Sequence, residues 1–338
     1  MTENRKIRGR SSGTLRIILG LAVTALALWL TFKDISWPLL WSSLRRINLW
    51  WTALALVVPL ATVYALGVRW RILLDSDTPL SLGKLFQLNI ISQFANIIMP
   101  ARLGDVLRIY LGSRQFGLSA AHVTGTVVIE KGMDFIVFVA FWAVVPPLLA
   151  VREGMKGTGI AVVLCLGVLA VIILLAWKRE LILRMGRVFS RILPGRFRDR
   201  FNDMLERIIQ PFVLFKDSRK VLVLVLLTFV FVLGMVFTNH ILFLAFGLPL
   251  SFGAALVVLL ALQVANLPPS TPGKVGIFQY AVILALGWFG VDKDAALAYG
   301  LVLHVVAFLP KIVLGLIYIS RLDVSLKRKN LSKEIREC

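Results

Sequence analysis

Long apolar runs, separated by short clusters of charged and turn-forming residues, dominate the chain. A helix rises about 1.5 Å per residue, so about 20 apolar residues cross the hydrocarbon of a bilayer. Runs of this kind cover Leu15–Phe32, Leu49–Val68, Thr124–Ala150, Gly159–Trp177, Val221–Phe246 and Ala295–Ile319. Two further runs are shorter and end in helix breakers. Leu80–Ile98 stops at Met99-Pro100, and Phe252–Leu267 runs into Pro268-Pro269-Ser270-Thr271-Pro272-Gly273. Proline lacks a backbone donor and clashes with the preceding turn, so neither run continues as a straight helix. Broken backbone at membrane depth is tolerated where it faces protein or a wet cavity. Both runs therefore read as re-entrant hairpins, although two short spans ending in loops fit the same hydropathy. The expected fold is an all-α polytopic integral membrane protein with about six full spans plus two broken re-entrant hairpins.

Residues 178–220 have a different pattern. Leu181, Met185, Val188, Phe189 and Ile192 lie near helical spacing, and so do Phe197, Phe201, Met204, Leu205, Ile208 and Phe212 after Pro194-Gly195. Arginines fill the intervening positions. This pattern predicts two amphipathic helices on an anionic membrane surface; a solvated basic linker is the plainer alternative.

Composition narrows the class. Of 338 residues 58% are hydrophobic and 17% charged, yet 38 Lys+Arg against 18 Asp+Glu leave a net charge of +20. Soluble domains average about 25% charged residues. The balance excludes a water-soluble enzyme and a disordered chain, and no basic domain stands apart to bind nucleic acid. Two cysteines, Cys165 and Cys338, exclude a disulfide framework. The basic start and the first apolar run resemble a signal peptide, but the run is long and lacks a clean cleavage site, so it reads as a retained anchor.

Lys and Arg also orient the chain. With the amino terminus inside and both broken runs returning to the side they entered, segments 1–14, 69–79, 178–220 and 321–338 hold 24 of them. Segments 33–48, 151–158 and 247–251 hold 5. The positive-inside rule then places both termini in the cytoplasm of a cell whose inner membrane holds the protein. The expected organisation is a basic amino terminus (1–14), a transmembrane domain (15–320) and a basic tail (321–338). Trp29, Trp37, Trp41, Trp50, Trp51 and Trp70 fall near span ends and read as an aromatic belt.

The two broken runs resemble each other. Pro100-Ala-Arg102-Leu-Gly104 and Pro272-Gly273-Lys274-Val-Gly276 share a proline, small, basic, aliphatic, glycine order. Phe116-Gly117 and Phe289-Gly290 follow after 16 and 17 residues, and Lys131 and His304 each lie 15 residues beyond the phenylalanine. Repeat one would span about 49–150 and repeat two about 221–320, in opposite directions across the membrane. Inverted repeats with broken helices are the build of many secondary transporters. A half-helix starting after each break presents free N–H groups to an anion. Arg102 and Lys274 would hold a phosphate or carboxylate there, with Arg108 as a further cation.

Ionisable groups at membrane depth are costly. Besides Arg102, Arg108 and Lys274, the chain places Asp105, Glu130, Lys131, Asp134, His304 and Lys311 within or beside apolar runs. Glu130 and Asp134 share a helical face. Pairing of Arg102 or Arg108 with Glu130 or Asp134 would leave one cation for a ligand, with the acids and His304 setting local charge and carrying a proton. A purely structural ion-pair network is the competing reading. Asn239-His240 reads as interhelical glue, and His122 as interfacial.

Pro100-Ala-Arg102-Leu-Gly104-Asp105…Arg108, Glu130-Lys131…Asp134 and Ser270-Thr-Pro272-Gly273-Lys-Val-Gly276 resemble the motifs of the lysylphosphatidylglycerol synthase transmembrane-region family, also called flippase-like. The resemblance extends from about Leu15 to Ser320. It implies a stand-alone member without the aminoacyl-transferase domain, moving an anionic phospholipid or polyprenyl-phosphate glycolipid between leaflets. The chain departs from the family pattern at Asp105, at Lys131 and at Gln279, where Glu, Arg and an acid are usual. The expected ligands are phosphate-bearing membrane lipids, with lipid-biosynthesis proteins as candidate partners and no nucleic acid, cofactor or metal. Two other functions compete. Asp75-Ser-Asp77 is the kind of triplet a metal-dependent glycosyltransferase uses, though it also reads as turn and cap chemistry. A non-transporting partner of an envelope-lipid pathway is the third.

Overall fold

The computed structural model describes residues 22–75, 80–99, 102–149, 179–190, 194–266 and 272–337, with a few helical positions within 163–171. Every regular element among them is helical: α1 (Ala22–Phe32), α2 (Trp37–Arg45), α3 (Leu49–Leu74), α4 (Leu82–Ile98), α5 (Leu103–Phe116), α6 (Ala120–Leu148), α7 (Arg179–Ser190), α8 (Gly195–Ile209), a 3-10 segment Gln210–Lys216, α9 (Ser218–Phe246), α10 (Phe252–Ala265), a 3-10 turn Pro272–Lys274, α11 (Ile277–Gly287) and α12 (Lys293–Glu337). Most of the span expected over 159–177, together with Ser76–Pro79 and the break residues Pro100, Ala101 and 267–271, lies outside the described residues.

Local chemistry explains the helix ends. The Asn48 side chain accepts from the Trp50 and Trp51 N–H groups and starts α3. Asp217 does the same for α9 through Arg219 and Lys220. Gly247, at φ 64°, lets the chain turn left after α9, and the Leu248 N–H bonds back to the Phe243 carbonyl.

Among the described residues, Leu49–Leu74, Ser218–Phe246 and Lys293–Arg321 are long and apolar enough to cross a membrane. Helix α6 is 29 residues long. Large side chains such as Val57, Leu226 and Leu316 are exposed, the surface expected of helices solvated by lipid. Helices α4 and α10 have 17 and 14 residues. At 1.5 Å per residue they are about 26 and 21 Å long, short of the roughly 30 Å hydrocarbon. Each pairs with the helix that follows its break, α4 with α5 and α10 with α11.

Helices α3 and α9 form the central contact and run antiparallel. The Asn48 N–H donates to the Ala245 carbonyl at 2.8 Å, and at the other end Lys220 Nζ donates to Asp75 Oδ1 at 2.6 Å. Between them, a Cβ added to Gly234 would lie 2.2 Å from Thr62 Cγ2, so the backbones pack closely. Packing within α3–α6 recurs within α9–α12: first helix on second, second on third, third on fourth, first on fourth. Across the two sets, α12 lies on α3 and α4, as α6 lies on α9 and α10.

One outer segment gains a helix, and one expectation is corrected. Residues 33–48 contain helix α2, whose Leu40 packs into the core and which rests on α12. Trp70 is not part of an interfacial belt: it is fully buried, whereas Trp29, Trp37, Trp41, Trp50 and Trp51 are exposed. Arg179–Ser190 and Gly195–Ile209 form the two helices α7 and α8, which pack together, with α8 also against α6.

Candidate functional site

At the first break, Met99 is extended and Arg102 is left-handed (φ 55°, ψ 38°) before α5 begins at Leu103. A left-handed non-glycine residue carries strain of about 1–2 kcal/mol. Gly104 permits the tight return: a Cβ there would lie 2.0 Å from the Ser92 carbonyl oxygen. Asp105, one residue on, accepts from Asn96 Nδ2 at 3.2 Å and faces Lys131 Nζ at 3.5 Å. The hairpin and α6 are thus joined through one carboxylate.

Behind the break lies a buried ion network. Arg108 Nη1 and Nη2 donate to Glu130 Oε1 and Oε2, both at 2.8 Å. The Arg108 guanidinium sits 3.9 Å above the Trp70 ring, and Trp70 Nε1 donates to Thr126 Oγ1 at 3.1 Å. Arg69 completes the network. Its Nη1 donates to Asp134 Oδ1 at 2.6 Å and to Thr228 at 3.1 Å, and its Nη2 donates to Asp134 Oδ2 at 3.2 Å. Two cations face two carboxylates, and all but Asp134 are nearly inaccessible to solvent.

The second break contains three residues at positive φ: Gly273 (73°), Lys274 (56°) and Gly276 (86°). Gln279 organises it. Its Oε1 accepts from the Gly276 N–H at 2.8 Å, so its Nε2 is the group that meets His304 Nδ1, also at 2.8 Å. That orientation makes Nδ1 an acceptor and assigns the ring proton to Nε2. Phe278 and Phe308 flank the His304 ring. Thr31 of α1 donates to the Gly276 carbonyl at 3.3 Å, which ties the first helix to this break.

The two breaks come together. The turn Pro272–Lys274 packs on α4, and the charges of Arg102 and Lys274 act on one another. A cavity of about 240 Å³ opens beside them, bounded by α3, α4, α9, α10, α11 and α12. Lys274 and Lys311 line it together with the amides of Gln93, Asn96, Asn239, Gln263 and Asn266. Phe231, Phe278, Phe308 and Leu259 form its apolar wall, and no carboxylate is among the described lining residues. Lys274 Nζ donates to Asn266 Oδ1, and Asn266 Nδ2 donates to Gln263 Oε1. This is a small, partly apolar chamber with cationic and amide donors, the chemistry that holds an anion.

The sequence profile described as lysylphosphatidylglycerol synthase TM region matches residues 17–315. The chain belongs to the lysylphosphatidylglycerol synthase transmembrane-region family. No curated protein matches it. As a member of this family it is a multi-pass membrane protein. The matched stretch takes up nearly all of these 338 residues and is the membrane region, not the synthase catalytic domain.

Within this family member the residues singled out from sequence divide into two groups. Lys274, and Arg102 through its charge, belong to the meeting of the breaks, where Pro272, Gly273 and Gly276 shape the turn and Gly104 the hairpin. Arg108, Glu130 and Asp134 form the buried network, with Asp105 and Lys131 between the two groups. Arg108 was expected among the anion ligands; both its terminal nitrogens are on Glu130. His304 meets Gln279. Asn239 joins helices: its backbone and side-chain oxygens accept from Tyr299 Oη at 3.0 and 3.1 Å. His122 Nε2 lies 3.1 Å from the Leu74 carbonyl, at the end of α3. Asp75 caps α3 in a left-handed conformation and is bonded to Lys220.

Sequence reasoning missed Arg69, and it noted Lys311 as an ionisable residue at membrane depth without assigning it to the anion site. Arg69 was counted among the basic residues of a loop, but α3 continues to Leu74 and buries it. The apolar pattern on both sides of Arg69, through Ile72, Leu73 and Leu74, is the signal that extends the helix past it.

Proposed function

We propose that this protein moves a lipid with an anionic head group between leaflets of the cytoplasmic membrane. The head group would enter the cavity beside the two breaks while its acyl or prenyl tails stay in the surrounding lipid. The observation that carries this reading is the lining: Lys274 and Lys311 with five amides, at the junction of two helix breaks, and no carboxylate among the described residues. Intramembrane cations mark ion and substrate pathways more often than passive packing.

An inverted repeat of two re-entrant hairpins supplies the alternating access. The antiparallel α3 and α9 and the reciprocal packing of α3–α6 and α9–α12 support it. Rocking of one set against the other would expose the cavity to each side in turn. Arg102 would guide the anion in, and Asp105 with Lys131 would adjust the charge at the rim. The buried network of Arg69, Arg108, Glu130 and Asp134 would keep the first set rigid. Both termini are assigned to the cytoplasm by the distribution of Lys and Arg.

Mass spectrometry of lipids retained by the gently purified protein tests the reading. An anionic lipid recovered in stoichiometric amount and lost in Lys274→Gln is the expected result. A retained lipid that is zwitterionic, or one unaffected by Lys274→Gln, would contradict it.

A further inference from the structure

We infer that the cavity selects a phosphate monoester head group, which carries two negative charges, over phosphodiester, zwitterionic and aminoacylated head groups. This rests on the proposal that the cavity receives a lipid head group.

The first reason is charge. Lys274 and Lys311 line the same chamber and their charges act on one another. Arg102 acts on Lys274 from the other break. The acids nearest in the chain are already engaged: Glu130 with Arg108, Asp134 with Arg69, and Asp105 with Asn96 and Lys131. A single negative charge would leave uncompensated cations in a partly apolar chamber. A phosphate monoester carries about −1.5 to −2 at neutral pH and offers three acceptor oxygens. It matches two lysines that line one cavity.

The second reason is the direction of the amides. An ammonium-bearing head group needs acceptors or a carboxylate. Asn266 Oδ1 is taken by Lys274, and Gln263 Oε1 is taken by Asn266. Asn96 Oδ1 is a buried acceptor without a hydrogen-bond partner on the cavity wall, a single neutral acceptor beside the two lysines. A lysyl ester or ethanolamine would add a cation beside two lysines, with no acid among the described lining residues to offset it. The aminoacylated lipid from which the family takes its name is therefore a poor fit to this chain. The shared chemistry is the phosphate monoester, which a lipid or a soluble metabolite supplies.

The test is a set of binding titrations, read by thermal shift, on the full chain purified in detergent. The probes are dioleoyl phosphatidic acid, phosphatidylglycerol, phosphatidylethanolamine, lysylphosphatidylglycerol and glycerol 3-phosphate. Phosphatidic acid is expected to bind at least about ten-fold more tightly than any other lipid, the equivalent of one further charge-assisted contact. Lys311→Gln is expected to bring its affinity down to that of phosphatidylglycerol, and Lys311→Arg to retain the gap. If Lys311→Gln does not fold, Lys274→Gln replaces it with the same expectation. Phosphatidylglycerol binding as tightly as phosphatidic acid, with both lost in Lys274→Gln, would overturn the monoester selectivity and leave the anionic-lipid reading standing. Tightest binding of lysylphosphatidylglycerol would overturn both. Glycerol 3-phosphate binding as tightly as phosphatidic acid would keep the monoester chemistry and overturn the lipid reading.

Discussion

Arg69 of α3 and Asp134 of α6 meet in a two-pronged pair, with Nη1 2.6 Å from Oδ1 and Nη2 3.2 Å from Oδ2. Arg69 also reaches Thr228 of α9, so one guanidinium ties three helices together. Removing one partner of a buried pair leaves the other charge unmatched and costs about 3–5 kcal/mol. Arg69→Met is expected to lower the melting temperature in detergent sharply. Arg69→Met combined with Asp134→Leu is expected to recover most of the loss, because an apolar pair of similar volume leaves no orphan charge. A double-mutant cycle on thermal midpoints checks this.

The close hairpin of the first break predicts a sharp contrast between glycines. Gly104→Ala would place a Cβ 2.0 Å from the Ser92 carbonyl oxygen, a backbone atom that cannot swing aside. Its expected outcome is loss of folded protein in size-exclusion profiles. Gly287→Ala, in α11 with nothing within 4 Å of its added Cβ, is expected to be neutral or slightly stabilising, by up to about 1 kcal/mol.

Trp70 supports Arg108 with its ring and bonds Thr126 through Nε1. Trp70→Phe keeps an aromatic face and loses the hydrogen bond. An expected cost of about 1–2 kcal/mol follows from one buried bond and a weaker cation–π contact. Trp70→Ala is expected to cost about 3–5 kcal/mol through the cavity it leaves. Thermal midpoints of the two variants separate the terms.

Antiparallel pairing of α3 and α9 is checked by cross-linking. The Asn48 N–H lies 2.8 Å from the Ala245 carbonyl oxygen, so the two backbones are in direct contact, as a disulfide requires. Asn48→Cys/Ala245→Cys, in a chain with Cys165 and Cys338 replaced by serine, is expected to cross-link on mild oxidation. The same cysteine-free background tests orientation. Arg45→Cys should react with an impermeant maleimide on intact cells, and Asp203→Cys only after permeabilisation.

Particular residues show how far the sequence was legible. The central spans were, because α3, α9 and the Lys293–Arg321 part of α12 are long and apolar, and so were the ends of α4 and α10, because proline and glycine follow those apolar runs in the sequence. Helix α2 was not: its apolar positions Trp37, Leu40, Trp41 and Leu44 fit helical spacing, but nine residues between two spans look like a loop. Arg69 was hidden for a different reason. An arginine at the end of an apolar run, with Arg71 two residues on, resembles a topology signal until its partners, 65 and 159 residues away, are known. Lys311 stood out as a charge at membrane depth, but its place beside Lys274 of the second break follows from no spacing rule. Local breakers and hydropathy act over a few residues and can be read; the cavity is made by contacts between segments far apart in the chain.

The cavity at the two breaks is proposed to carry an anionic lipid head group across the membrane. Dithionite quenching of tail-labelled fluorescent phosphatidic acid and phosphatidylglycerol, in proteoliposomes of the full chain, measures it most directly. The account predicts protein-dependent leaflet exchange that falls at least about ten-fold in Lys274→Gln, a loss of about 1.4 kcal/mol or more, and is unchanged in Lys33→Gln outside the cavity. Exchange at the wild-type rate in folded Lys274→Gln, or no faster than in protein-free vesicles for the unaltered chain, would contradict it.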